Sequence, residues 1–279
     1  MKRTDAPITR RKYAVLDTDF ISKANTVRHG NHLLADEVLS FPDYCFFAHK
    51  KLLHELRGRG TESAVKWLKE KSEDGRILIY SDERILQELE SCCPGNSIAY
   101  FLTFLRKGCS LITADFYSNH FHALDEFNGE EDSASFLSVL HSCESSIGNG
   151  QSYGEAKAFI LAEALHFICD DDVCVFCSDD SGARRGFTAL SHIPCISILG
   201  VFLKLKLMGR SFEEVLPFFS SYTQLCTTVT NPEPLIKVWI YKSGSPKRVS
   251  VQMKLLLEDI YLGKYVIRRD GNLQNRTFQ

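Results

Sequence analysis

Two short apolar runs in this chain stop on aspartate: Tyr13–Leu16 before Asp17, and Val173–Ser178 before Asp179 and Asp180. An uninterrupted apolar run bounded by polar residues is the pattern of a strand buried on both faces, as in a parallel sheet covered by helices. Tyr44–Ala48, Arg76–Tyr80 and Cys195–Leu199 repeat that pattern. Helical spacing occupies Asn31–Leu39, His49–Leu56, Thr61–Ser72, Glu155–Phe167, Ser181–Leu190 and Gly200–Met208. Strands alternating with helices predict βαβ units, so the expected fold class is α/β, three layers α/β/α around a mainly parallel central sheet.

Residues 1–12 are a basic lead-in, and 1–219 are expected to form the main domain. Within it, about 81–150 reads as a helical insertion. ERILQELES and SIAYFLTFLRKG have helical spacing around Pro94–Gly95, then come an acidic turn at Asn128–Asp132, a further helix and a Gly/Ser/Asn loop. Residues 220–234, rich in Ser, Thr and Asn with two prolines, read as a linker. The remainder, 235–279, reads as a small appendage: strand IKVWIY, a turn at Ser243–Pro246, strand RVSVQM, and a helix in LLLEDIYLGKYVI. From Asn231 to Gln279 there are nine Lys/Arg against four Asp/Glu, so this tail is locally basic although the whole chain carries a formal charge of −2. That balance excludes a uniformly positive surface and leaves room for a basic strip.

No apolar stretch approaches the ~20 residues of a membrane span. No apolar segment precedes the first strand, so no secretory signal is expected. Ten cysteines without a repeating framework read as reduced thiols of a cytoplasmic protein. Cys174 and Cys177 form a lone CxxC inside a strand, with no second pair to complete a zinc site, and read as buried thiols. His120 and His122 are equally weak as ligands.

The chemistry lies in the carboxylates: Asp17, Glu55 in HKKLLHELRG, Glu155 in YGEAKAF, and Asp179–Asp180. Open α/β sheets bind ligands outside the carboxyl ends of their strands. Carboxylates gathered there repel one another unless a cation sits between them, and a hard divalent ion such as Mg²⁺ or Mn²⁺ takes oxygen ligands plus substrate phosphate. Such a site forms only if the strands before Asp17 and Asp179 are neighbours. Asp19 reads as a helix N-cap for the segment after it, with a secondary metal role left open. Arg184 is a candidate to grip phosphate, while Arg185 reads as an exposed helix position. Lys50, Lys51, Arg57 and Arg59 flank Glu55 and are candidates to line an RNA path, although each taken singly reads as a solvated face.

LDTDFISKAN resembles the opening of PIN-domain nucleases. GEAKAFILAEALHFICDDDVCVFCSDDSGARRGFTALSHIPCISILG is similar to the second half of prokaryotic, toxin-like PIN domains: Gly-Glu before an Ala-rich helix, a strand, Asp-Asp, Ala-Arg, and a Gly after a short strand. The likeness covers roughly Tyr13 to Met208. It implies a PIN-like fold and a Mg²⁺- or Mn²⁺-dependent endoribonuclease that cleaves RNA phosphodiesters by attack of a metal-activated water. By position it implies that Asp17, Glu155 and Asp179 hold the metal, with Asp180 replacing or supplementing Asp179. Glu55 resembles the family's second acid, and Ser178 its small hydroxyl residue at the strand end.

The resemblance leaves open a toxin, a defence effector or an RNA-processing enzyme, and a protein inhibitor or antitoxin and a homodimer as partners beside RNA. The longer 81–150 region and the tail after Phe219 depart from the minimal domain. On this reading, Asp17→Asn or Asp179→Asn abolishes cleavage and leaves the fold intact.

Two rival readings remain. Asp17–Thr18–Asp19 with Asp179–Asp180, and Lys157 before that pair, also resemble a haloacid-dehalogenase-like phosphatase. There, however, Ile21 stands where that family has Thr or Val, and GEAKAFILAEAL has no role. The third reading is a catalytically inactive PIN-like module that binds RNA or protein, against which the full set of acids stands.

Overall fold

The computed structural model describes residues 12–127, 132–147, 153–169, 174–242 and 245–276. The lead-in at 1–11, the acidic turn at 128–131, the loop at 148–152, Val173 and the turn at 243–244 lie outside them. β1 (Lys12–Leu16) passes through Asp17 into α1 (Thr18–Thr26). The hairpin β2 (Arg28–His29) and β3 (His32–Leu33) precedes α2 (Leu34–Leu39), so the helix read from Asn31 starts later. β4 (Tyr44–His49), α3 (Lys51–Gly58), α4 (Glu62–Glu73) and β5 (Ile77–Tyr80) follow.

Within 81–150 the described residues form α5 (Asp82–Cys92), α6 (Ser97–Ser110), α7 (Phe116–His120), a 3-10 turn at His122–Glu126, and α8 (Ser133–Ser145); α5, α6 and α8 fall where the spacing reads helix. α9 (Tyr153–Ile168) leads to β6 (Cys174–Cys177), α10 (Ser181–Leu190), β7 (Cys195–Ile196), α11 (Ile198–Leu207) and α12 (Phe212–Cys226). The chain closes with β8 (Leu235–Lys242), β9 (Ser245–Gln252), α13 (Met253–Tyr261), β10 (Tyr265–Ile267) and β11 (Leu273–Asn275).

Local chemistry explains where these elements depart from the periodic reading. Ser197 accepts a hydrogen bond from the Gly200 N–H (3.1 Å) and caps α11, so Ile198 and Leu199 are helical and β7 is short. A capping box between Ser211 and Glu214 starts α12, which continues to Cys226, well into the stretch that composition reads as linker. Gly263, at φ +78°, ends α13. The following Tyr265–Ile267 then pairs antiparallel with Leu273–Asn275 instead of extending the helix.

The fold class is α/β. The central sheet has the order β5-β4-β1-β6-β7, with β1/β4, β4/β5 and β6/β7 parallel. Counting only its own strands along the chain, the order is 3-2-1-4-5, a doubly wound arrangement that reverses between β1 and β6. The strands before Asp17 and Asp179 are therefore neighbours. Ligands of such sheets bind at this reversal.

The chain divides into two units. The first comprises Met1–Val15, Phe41–His54 and Leu68–Val175. There α6 lies so close to α9 that a Cβ on Gly108 would stand 2.9 Å from the Ala156 carbonyl oxygen. Phe101, Phe121, Phe136, Tyr153 and Phe159 are fully buried in this unit. The second unit comprises Leu16–Ser40, Glu55–Trp67 and Phe176–Gln279. It holds a four-stranded sheet of order β10-β11-β8-β9, with Val238 and Ile240 buried on one face and Met253, Leu256, Leu257 and Ile260 buried on α13.

A turn between β10 and β11 ties the tail to α10 and β7 within this unit. The Cys195 N–H donates to the Arg269 carbonyl (2.7 Å), and Ser197 Oγ donates to the Gly271 carbonyl (2.8 Å). Gly271 sits at φ +72°, and a Cβ there would lie 2.9 Å from Arg184 Cδ and 3.1 Å from the Cys195 carbonyl carbon. Left-handed backbone and overpacking act together, so Gly271→Ala is expected to destabilise by about 2–4 kcal/mol in urea unfolding. A change under about 0.5 kcal/mol would show the turn to be loosely held.

Candidate active site

β1 and β6 end side by side: the Asp17 N–H donates to the Cys177 carbonyl at 3.0 Å. The pairing carries Asp17 and Ser178 together at the sheet's carboxyl edge, where Ser178 Oγ donates to Asp17 Oδ2 at 2.9 Å and both residues are buried. Asp17 occupies the N-cap position of α1, although its side chain makes no capping bond. Asp19, read from sequence as the cap, instead lies in the helix's first turn.

α1 arranges the remaining groups of this unit around that edge. Thr18 Oγ1 donates to Glu55 Oε2 at 2.5 Å. Lys23, one turn on from Asp19, places Nζ 2.9 Å from Asp19 Oδ2 and 2.8 Å from Asp179 Oδ2. Arg59 Nη1 stands 3.7 Å from the other oxygen of Asp19. Asp179 also accepts from Tyr222 Oη at 3.1 Å and from the Ile198 N–H at 3.1 Å. Four carboxylates, Asp17, Asp19, Glu55 and Asp179, are thus gathered with two cationic side chains.

The electrostatics follow from burial. Desolvation raises the Asp17 pKa to about 6. Hydrogen bonds from Ser178 and the Thr18 backbone oppose the rise, and the charges of Glu55 and Asp19 add to it. Burial also disfavours the Lys23 ammonium, but Asp179 and Asp19 outweigh that and hold its pKa above the ordinary lysine value. Burial, then the Asp179 charge, pushes the Tyr222 phenol well up, so it stays a donor.

The sequence-predicted residues meet different fates. Asp17, Glu55, Ser178 and Asp179 come together in the second unit. Of the Asp-Asp pair, Asp179 joins the cluster. Asp180 caps α10, accepting from the Gly182 and Ala183 N–H groups at 2.5 and 2.9 Å. Arg184 does not present its guanidinium to a ligand. It is 4% exposed and donates to the Ser178 carbonyl (2.8 Å), the Asp270 carbonyl (3.0 Å) and Asn272 Oδ1 (3.2 Å). Its role as a phosphate grip is therefore corrected to one of tying β6 to the tail.

Glu155 stands half-buried in the first turn of α9, in the first unit. Lys157, which the phosphatase reading needs, is fully buried there and pairs with Asp82 and Glu144. Asp179, with its Lys23, Tyr222 and backbone partners, is unlike Asp17: an amide there breaks an ion pair, so Asp179→Asn is no longer expected to leave the fold untouched. Cys174 and Cys177 are buried in β6.

Sequence reasoning missed the parts of Thr18, Lys23 and Tyr222, and it placed Arg59 beside Glu55 without linking it to Asp19. The Asp19–Lys23 spacing of four was a legible signal on a helix. Nothing in the sequence links Tyr222 to Asp179.

A cation was expected here. Among the described residues, no three His, Cys, Asp or Glu side chains are arranged as a ligand set. The donor chemistry nevertheless fits a hard divalent ion. Every acidic donor is a carboxylate oxygen, and the charges of Glu55 and Asp19 add a smaller push to the burial that raises the Asp17 pKa. A separate cavity of about 220 Å³, lined by His29, His32, Glu37, Leu205, Arg210, Glu214, Val215 and Phe218, shares no residue with the cluster. No helix among the described residues is long and apolar enough to cross a membrane. No family model, curated protein or solved structure matches the chain.

Proposed function

We propose that the protein is a divalent-cation-dependent endoribonuclease of the PIN kind. The observation that carries this reading is the meeting of Asp17 and Ser178–Asp179 where the strand order reverses, the place at which doubly wound sheets bind ligands. The cation, Mg²⁺ or Mn²⁺, would be held by oxygens of Asp17 and Asp179 with water completing its shell, and it supplies neutralisation of phosphoryl charge and acidification of water.

The chain's own groups have distinct parts. Ser178 fixes the Asp17 carboxylate. Thr18 orients Glu55, the half-buried carboxylate placed to accept a proton from the attacking water. Lys23, about a third exposed, pairs with Asp179 and presents positive charge toward a phosphate.

The test is incubation with labelled single-stranded RNA in Mg²⁺, Mn²⁺ or chelator, beside an aryl phosphate. The expected result is metal-dependent RNA cleavage, abolished by Asp17→Asn, with no phosphate released from the aryl ester. Release of phosphate without RNA cleavage would favour the phosphatase. RNA left intact under every condition would end the nuclease reading.

A further inference from the structure

The outer face of the β8–β9 hairpin concentrates cations on an aromatic support. Along β8, Val238 and Ile240 are buried, whereas Lys237 and Tyr241 are exposed and Trp239 is half-buried, so alternation puts these three on the opposite face. The antiparallel register sets Arg248 of β9 opposite Trp239, and Ser250 opposite Lys237. Arg248 Cζ lies 5.4 Å from the Trp239 ring centroid, and Arg268, just past β10, lies 4.5 Å from the same ring.

One indole thus holds two guanidiniums. Arg268 also donates to Gln274 at 3.4 Å, and its Nε and the Trp239 Nε1 have no hydrogen-bond partner among the described residues. Lys237 and Arg248 make no ion pair there either. Among the described residues, Asp270, 3.7 Å from Arg268 Nε, is the one carboxylate paired with these cations. Like charges ordered side by side repel, and an anion with spaced charges relieves that repulsion. Guanidiniums already held on a ring lose less freedom when they bind it.

We propose that this face binds the sugar–phosphate backbone of single-stranded RNA, with Lys237, Arg248 and Arg268 on phosphates and Tyr241 beside them as a stacking surface. The inference rests on the ribonuclease reading for its choice of polyanion, and it names a surface that engages the RNA apart from the carboxylate cluster.

The experiment is fluorescence anisotropy of a labelled oligouridine, titrated with full-length protein in chelator so that binding is read without cleavage. Lys237→Ala with Arg248→Ala changes two exposed side chains. It is expected to weaken binding about tenfold at low salt and to flatten the log–log salt dependence by about 1.4, near 0.7 for each phosphate lost. Lys69→Ala with Lys254→Ala removes the same charge from exposed helix positions and is expected to change neither. Equal losses in both double variants, no loss in the first, or wild-type binding to acidic vesicles or peptides in place of RNA would overturn the proposal. Loss confined to the first variant, in a protein that cleaves no RNA, would sustain the surface and refute the nuclease reading instead.

Discussion

Lys157→Met is expected to destabilise the protein by about 3–5 kcal/mol at neutral pH, the usual consequence of breaking one side of a buried ion pair. The Lys157 ammonium is fully buried in the first unit, 2.7 Å from Asp82 Oδ1 and bonded to Glu144 Oε1, with the Tyr153 ring 5.2 Å away. Tyr153 Oη donates to the same Glu144 oxygen at 2.7 Å, and His49 Nε2 stands 3.4 Å from Asp82. Burial works against the charge on both main partners, and their attraction overcomes it. Asp82 is held below the usual carboxylate range by Lys157 and His49, and Lys157 above the usual lysine value by Asp82 and Glu144.

Methionine fills much of the volume but deprives two carboxylates of their shared ammonium, leaving Asp82 only His49. The pH window follows from the directions. The Asp82 contribution is complete above its unfolded value of 3.8 and is lost as pH falls further. The Lys157 contribution is complete below 10.5 and is lost as pH rises beyond it. Between those values the deficit of the variant is expected to be flat in urea unfolding. Adding Asp82→Asn and Glu144→Gln removes the stranded charges and is expected to restore most of it. A single-variant loss under about 1 kcal/mol at neutral pH would show that water already screens the cluster.

How far such a network can be read in advance depends on sequence separation. β1 and β6 were legible because strands buried on both faces are apolar at every position, and Asp17 and Asp179 were legible because they end those runs. α5 and α6 were legible from their spacing, whereas α7, five residues long, is too short to show a period. Arg184 was not, since its exposure depends on a turn at Asp270–Asn272 that no local pattern connects to it.

Lys157 and Asp82 likewise lie on different helices, and the stretch GEAK carries no mark that its lysine is core. The β2–β3 hairpin has two residues per strand, too few for alternation to show. Asp180 illustrates the opposite case. Its place directly before a helical run is that of an N-cap, and capping α10 is what its side chain does.

Asp17→Asn is expected to raise stability at about pH 7.5 by up to roughly 3 kcal/mol while removing any cleavage, and to leave stability near wild type at about pH 4. The sign follows from the shift. A carboxyl whose pKa rises from 3.8 to about 6 on folding holds its proton more tightly in the folded state. Stability is therefore greatest below 3.8 and declines as pH rises through about 6, where the buried group must ionise. At about 1.36 kcal/mol per pKa unit, the decline comes to roughly 3 kcal/mol.

The amide evades that cost because it carries no charge, and its oxygen can still accept from Ser178, so the gain appears only above the window. Urea unfolding at both pH values measures it, and an asparagine variant less stable than wild type at pH 7.5 would refute the account. The same assay separates the cation from the fold. Mn²⁺ or Mg²⁺ that binds the folded acids stabilises wild type in proportion to its occupancy. It is expected to do so less for Asp17→Asn, because one of the charged oxygens that would hold the ion is gone.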